Sequence, residues 1–179
     1  KVLTAWNGLM IAAFARAGRV LAAEAADGGF SPEVHTAAAV RAATFIRERM
    51  WAQGTRRLLR RYRSGEAAID AYAEDYAYLV FGLLELFQTT GDPAWLSWAR
   101  ELQLRQDELF RDASGGGWFS TTGEDPSVLV RMKEDYDGAE PSPTSVSALN
   151  LLTLAHLTGE SSYRARADEA MASFGARLD

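Results

Sequence analysis

The sequence predicts an all-α fold, an array of three helical hairpins arranged in an inner and an outer layer. An apolar helix meets a glycine three times, at Ala17-Gly18-Arg19, Thr90-Gly91-Asp92 and Thr158-Gly159-Glu160, at intervals of 73 and 68 residues, which is the signature of a repeated helix-turn-helix unit. In the second and third units the first helix is apolar around most of its circumference, whereas the second is amphipathic. The first helices are therefore inner and the second outer. With 179 residues, 47% of them hydrophobic, the chain is long enough to form a single domain over 1–179 with a sizeable core.

The first hairpin covers about 3–52. Its first helix runs from Thr4, placed to cap it, to about Ala26, with Leu9, Ala12, Ala13, Ala17, Val20 and Leu21 near helical spacing. Asp27-Gly28-Gly29-Phe30 breaks that helix. Ser31-Pro32 starts the next with a capping residue and a proline at the first helical position, and it continues to about Ala52. The second hairpin, about 72–111, opens with Tyr72-Ala73-Glu74-Asp75-Tyr76, continues through Leu79 to Phe87, and returns from Asp92-Pro93 through Trp95, Trp98 and Leu102. Packing accounts for Trp95 and Trp98. The third hairpin, about 143–178, is nearly all apolar from Val146 to Leu157 and alternates Ala with Arg, Asp and Glu from Tyr163 to Arg177.

The links between hairpins read as short β excursions. Arg56 to Arg63, Gly117-Trp118-Phe119-Ser120-Thr121 and Ser127 to Met132 look extended between Gly and Pro breakers. Short turns then lie at one end of the layers and long links at the other, so all inner helices run the same way. Their N-termini converge on the long-link face.

Composition excludes several functions. A net charge of −5 argues against a nucleic-acid partner, and the arginines of Arg56 to Arg63 read as a solvated strand beside an acidic neighbour. The absence of cysteine removes disulfides and thiolate chemistry and fits a reducing, cytoplasmic setting. No apolar run reaches the roughly 18 residues of a membrane span. The chain opens with Lys1-Val2-Leu3-Thr4 directly into a helix, which reads as a cut through a longer protein. His35 and His156 fall in different hairpins without ligand spacing, so no metal is expected. Gly115-Gly116-Gly117 precedes a strand-like segment rather than a helix, so there is no phosphate loop and no cofactor is expected.

The residues suited to chemistry gather at the inner-helix starts: Trp6 and Asn7; Asp70, Tyr72, Glu74, Asp75 and Tyr76; Asp135, Tyr136 and Asp137; Glu140; and Ser142, Thr144 and Ser145. Carboxylates, aromatics and hydroxyls together suit a sugar, whose rings stack on aromatic faces while acids hold its hydroxyls. Paired acids also serve as general acid and base. The catalytic candidates are Glu74, Asp75, Asp135 and Asp137, and the binding candidates are Trp6, Asn7, Tyr76, Trp118, Tyr136, Ser142 and Ser145. Each has a structural competitor. An acid at a helix start caps free amides, Asp137-Gly138 is a turn dipeptide, and Trp6 suits core and rim alike. Asn7, one turn into a helix, is unfavourable unless its amide is used.

Three segments, Leu3-Thr4-Ala5-Trp6-Asn7-Gly8-Leu9-Met10, Glu74-Asp75-Tyr76-Ala77 and Arg131 through Ser142, resemble ordered motifs of the thioredoxin-domain proteins related to spermatogenesis-associated protein 20. Concentric hairpins with elaborated links also resemble the α/α toroid of six-hairpin glycosidases and N-acylglucosamine 2-epimerases. The resemblance implies a toroid fragment of three hairpins out of six, with a preceding thioredoxin-like domain and the remaining hairpins as partners. Pro143-Thr144-Ser145 departs from the family, which has an amide at position 144. Two functions follow: a carbohydrate-active or carbohydrate-binding toroid of the epimerase or glycosidase kind, or a non-catalytic scaffold. The scaffold would serve a thioredoxin-like domain, a peptide ligand, or a homodimer formed through open toroid edges.

Overall fold

The structure, a computed structural model, describes residues 1–21, 31–134 and 136–175. Six helices are described: α1 (Thr4–Val20), α2 (Pro32–Arg49), α3 (Ala73–Thr90), α4 (Pro93–Phe110), α5 (Pro143–Thr158) and α6 (Ser161–Gly175). They form the three hairpins α1/α2, α3/α4 and α5/α6, and the inner helices pack in the order α1, α3, α5. Hydrogen bonds show that α1 and α3 run the same way, because Ala5 N–H reaches Asp75 near their starts and Thr89 Oγ1 reaches the Ala15 carbonyl near their ends. Val146 packs on Ala77 and Tyr78 near the starts of α5 and α3, and His156 shares a cleft with Gln88 near their ends. All three inner helices are thus parallel.

Burial follows the contrast between layers. The central helix α3 buries twelve residues from Ala73 to Leu86, as a helix apolar on most sides requires. Helix α4 turns Trp95, Trp98, Ala99 and Leu102 inward. A main core spans the three hairpins, and a smaller cluster of Ala5, Ala77, Tyr78 and Val146, with Leu9 and Phe81 against it, joins the inner helices near their starts.

The three recurring glycines do different work. Gly91 and Gly159 are left-handed C-caps, with φ of 70° and 74°, and their amides return to Phe87 and Ala155. Gly18 lies inside α1, and a Cβ there would stand 2.3 Å from Thr36 Oγ1 on α2. It permits helix contact rather than ending a helix. Gly8 and Gly82 do the same between α1 and α3: a Cβ on Gly8 would meet the Tyr78 carbonyl carbon at 2.5 Å, and one on Gly82 the Gly8 oxygen at 2.6 Å.

The β structure departs from expectation. Four strands are described, β1 (Val2–Leu3), β2 (Trp51–Ala52), β3 (Arg57–Arg63) and β4 (Glu66–Asp70), and β3 pairs antiparallel with the other three. Only β3 was expected. The segments 117–121 and 127–132 are irregular, touched by an isolated bridge between Arg111 and Trp118, and are held by single backbone bonds such as Ser120 N–H to the Met132 carbonyl together with side chains. Lys133 pairs with Asp112 at 2.7 Å and donates to the Gly116 carbonyl, while Arg131 donates to the carbonyls of Thr121 and Leu109. Helix α2 stops at Arg49 rather than Ala52, since Trp51 pairs with Leu58. The expected extension of α1 to Ala26 and the break at 27–30 lie outside the described residues, as does the end of the third hairpin beyond 175.

Candidate functional site

The starts of the inner helices are joined to β3. Thr4 is the first residue of α1 rather than its cap, and its hydroxyl donates to the Leu59 carbonyl at 2.6 Å. Asn7 donates its side-chain amide to the Leu3 carbonyl at 2.8 Å, which accounts for an amide inside a helix.

Asp75 is the joint itself. Its Oδ1 accepts the Ala5 N–H at 3.0 Å, and its Oδ2 accepts the Tyr72 N–H at 2.9 Å and Arg60 Nη1 at 2.8 Å. The carboxylate therefore ties together α1, the start of α3 and β3, and it is fully buried. Burial pushes it up to about 6, against the opposing pull of the Tyr72 amide and Arg60. As placed, it has no surface on which to meet a substrate. Arg60 also reaches Glu74 Oε1 at 2.6 Å and lies over the Tyr72 ring at 4.6 Å. Glu74 remains partly open to solvent.

Beside this joint, aromatic and acidic side chains gather on the long-link face, at the mouth of the three parallel inner helices. Trp6 is 57% exposed, and its indole N–H donates to Glu140 Oε1 at 2.8 Å. The Tyr78 hydroxyl, on the next inner helix, donates to the Pro141 carbonyl. Burial raises the pKa of Tyr78, and the charges of Glu74, Glu140, Glu134 and Asp137 raise it further. Four carboxylates from α3 and from the link to α5 thus bear on one hydroxyl. Tyr136 stands 82% exposed.

Asp137 is more committed. It accepts the Ser142 N–H at 2.6 Å and sits 3.4 Å from the Ser145 hydroxyl, and the Ser142 amide holds its carboxyl below the usual range. Ser142 is buried and caps α5 through the Ser145 N–H at 3.1 Å. The pair Asp137 and Ser142 therefore starts α5, while Ser145 remains exposed.

Two expected stacking platforms are in the core. Tyr76 is 1% exposed, and its hydroxyl accepts the Leu58 N–H. Trp118 is 3% exposed and donates its indole N–H to Asp107 Oδ1 at 2.9 Å. Neither offers a ring face to a ligand. Asp135 lies outside the described residues.

The sequence reading missed Arg60, Tyr78 and the polar group behind α3. Arg60 was one of several arginines in an apparently solvated strand; the signal was its place opposite the Glu74-Asp75 pair. Tyr78 was hidden in an apolar run, where a lone hydroxyl was the available sign. Behind α3, Asp107 accepts from Trp118, Gln103 and Arg166, and Gln106 donates to the Ala73 carbonyl at 3.1 Å and to Ser147 Oγ at 2.8 Å. This group braces the starts of α3 and α5 from the outer layer. Among the described residues no group of three or more acidic or histidine side chains is placed to hold a metal ion, and no helix is long and apolar enough to cross a membrane.

No protein-family model matches the chain. Two solved structures share its fold: the cellobiose 2-epimerase of Spirochaeta thermophila, at TM-score 0.68 and 17% identity over 96% of this chain and 42% of that one, and a GH76 α-mannanase of Bacteroides thetaiotaomicron, at TM-score 0.67 and 15% identity over 99% and 46%. The fold is that of the α/α toroids. Spermatogenesis-associated protein 20 of Rattus norvegicus is 38% identical over 187 aligned residues, which cover 99% of this chain and 23% of that protein. The chain spans about a quarter of its curated relative, and over that segment it is a homologue of spermatogenesis-associated protein 20.

Proposed function

We propose that the mouth at the inner-helix starts binds carbohydrate. The observation that carries this reading is the exposed Trp6 ring with its indole N–H on Glu140, an acid whose charge, like that of Glu74, acts on the Tyr78 hydroxyl. An exposed indole offers an apolar face to the C–H face of a sugar ring, and partly open carboxylates accept hydrogen bonds from its hydroxyls. Sugar enzymes on the same fold, a cellobiose epimerase and a mannanase, support the ligand class by analogy of fold only.

If the mouth is catalytic, Glu74 and Glu140 are the acids available as acid and base. Asp75 and Asp137 are already occupied in joining and capping helices. Arg60, bonded to Glu74 Oε1 at 2.6 Å, holds that carboxylate in position. The role expected of Asp135 stays with this proposal, to be tested by Asp135→Asn in the same screen.

The experiment is a glycan-array screen of the chain beside Trp6→Ala and Glu140→Gln, with the anomeric and C2 protons of any bound sugar followed by NMR. Binding that both substitutions weaken supports the reading. Array-wide silence, or binding that ignores both substitutions, removes it. A scaffold role is favoured by a different observation: the link to α5 exposes Leu129 by 93%, Val130 by 72% and Met132 by 66%, a surface suited to another protein segment such as a thioredoxin-like domain.

A further inference from the structure

A cleft lies beside Tyr72. It encloses about 360 Å³ between the end of β4, the start of α3 and the 121–128 link, within the ~300–1,000 Å³ of small-molecule sites. Tyr72 is 41% exposed, and Arg60 already covers one face of its ring. Thr121, in the cleft wall, keeps a buried hydroxyl with no partner among the described residues. Asp125 uses Oδ1 on the amide and hydroxyl of Ser127, which leaves Oδ2 over.

Charge narrows the ligand. Asp70, Glu124 and Asp125 line the cleft, and no basic side chain does. Arg57 neutralises Asp70 from outside with both carboxylate oxygens engaged. Two carboxylates stay unneutralised, so an anionic ligand would meet repulsion and a hydroxyl-rich or cationic one would find acceptors.

We propose that this cleft is a second sugar-binding site, taking a neutral or amine-bearing sugar unit against Tyr72 and rejecting anionic sugars, an inference that takes its ligand class from the carbohydrate reading of the mouth. Tyr72 lines the cleft, and Arg60, which lies over its ring, also holds Glu74.

Amide chemical shifts of the isotope-labelled chain, titrated with glucose, glucosamine and glucuronate, test this. The expected result is movement of Tyr72, Thr121 and Thr122 with glucose and glucosamine, retained in Trp6→Ala, with glucuronate at least about tenfold weaker. Tyr72→Ala should weaken glucose about tenfold. Because Tyr72 also starts α3, Glu124→Gln serves as the second variant and should narrow the gap between glucosamine and glucuronate several-fold. Movement confined to Trp6 and Glu140 would overturn the cleft and leave the mouth. Movement confined to the cleft would leave the cleft and overturn the mouth. Equal response to glucuronate, or no response anywhere, would overturn the proposal.

Discussion

The two ends of the inner helices spend their acids differently. At the turn end, Glu85 of α3 is buried and held by Arg16 and by Arg19, the latter at 2.8 Å. Every oxygen of that carboxylate has a cation. Among the described residues, a single cation at the link end, Arg60, serves both Glu74 and Asp75, and Glu140 has only the Trp6 indole N–H. The difference separates structural acids from available ones: Glu85 and Asp75 fasten helices together, while Glu74 and Glu140 retain unused acceptor capacity in contact with solvent.

Breaking the fastened acids should cost stability, most of all at Asp75. Asp75→Ala leaves the amides of Ala5 and Tyr72 without their acceptor and Arg60 with Glu74 alone, and removing one partner of a buried pair costs about 3–5 kcal/mol; urea unfolding should show a lower midpoint at unchanged slope. The same residue sets a pH dependence. Its folded pKa of about 6 lies above the roughly 4 of a free aspartate, so the folded chain holds the proton more tightly. That contribution is full below about pH 4 and is lost as pH rises through 6. Asp75→Asn should flatten stability across this window.

Gly8→Ala comes next. A Cβ 2.5 Å from the Tyr78 backbone forces α1 and α3 apart, an overpacking cost of about 1–3 kcal/mol, visible as a lowered thermal midpoint. Glu85→Gln should cost less, about 1 kcal/mol, because Arg16 is largely exposed and water screens its share; raised salt should shrink the difference from the parent chain. Substitutions at the mouth sharpen the comparison from the other side. Trp6→Ala and Glu140→Gln should change stability by no more than about 0.5 kcal/mol while removing sugar binding at the mouth.

Periodicity and caps were legible because they are local. Asp92-Pro93 starts α4 as read, with a side-chain cap on Ala94, whereas Ser31 precedes α2 without a side-chain cap bond, and Ser142, read as a binding residue, caps α5 through Ser145. The alternation of apolar and amphipathic helices became the two layers. The links were illegible because distant partners decide them: the 117–133 segment carries strand-forming residues, yet Lys133 and Arg131 bind it to Asp112 and to backbone carbonyls. Gly18 shows the same limit, since a glycine for helix contact and one for a helix end look alike in sequence. At the site, the residue types and their convergence at the helix starts were readable. Which acids were spent was not, because Asp75 and Glu74 are neighbours whose burial differs only in the packed chain.

Indole fluorescence of a sugar titration tests the central claim most directly. Trp6 is 57% exposed, whereas Trp51, Trp95, Trp98 and Trp118 are each 8% or less, so a ligand at the mouth reports through one ring. The account predicts a saturable change on adding a mono- or disaccharide, absent in Trp6→Phe and undiminished in Glu85→Gln. A saturable change that survives Trp6→Phe, or one lost in Glu85→Gln, would place the ligand elsewhere and contradict it.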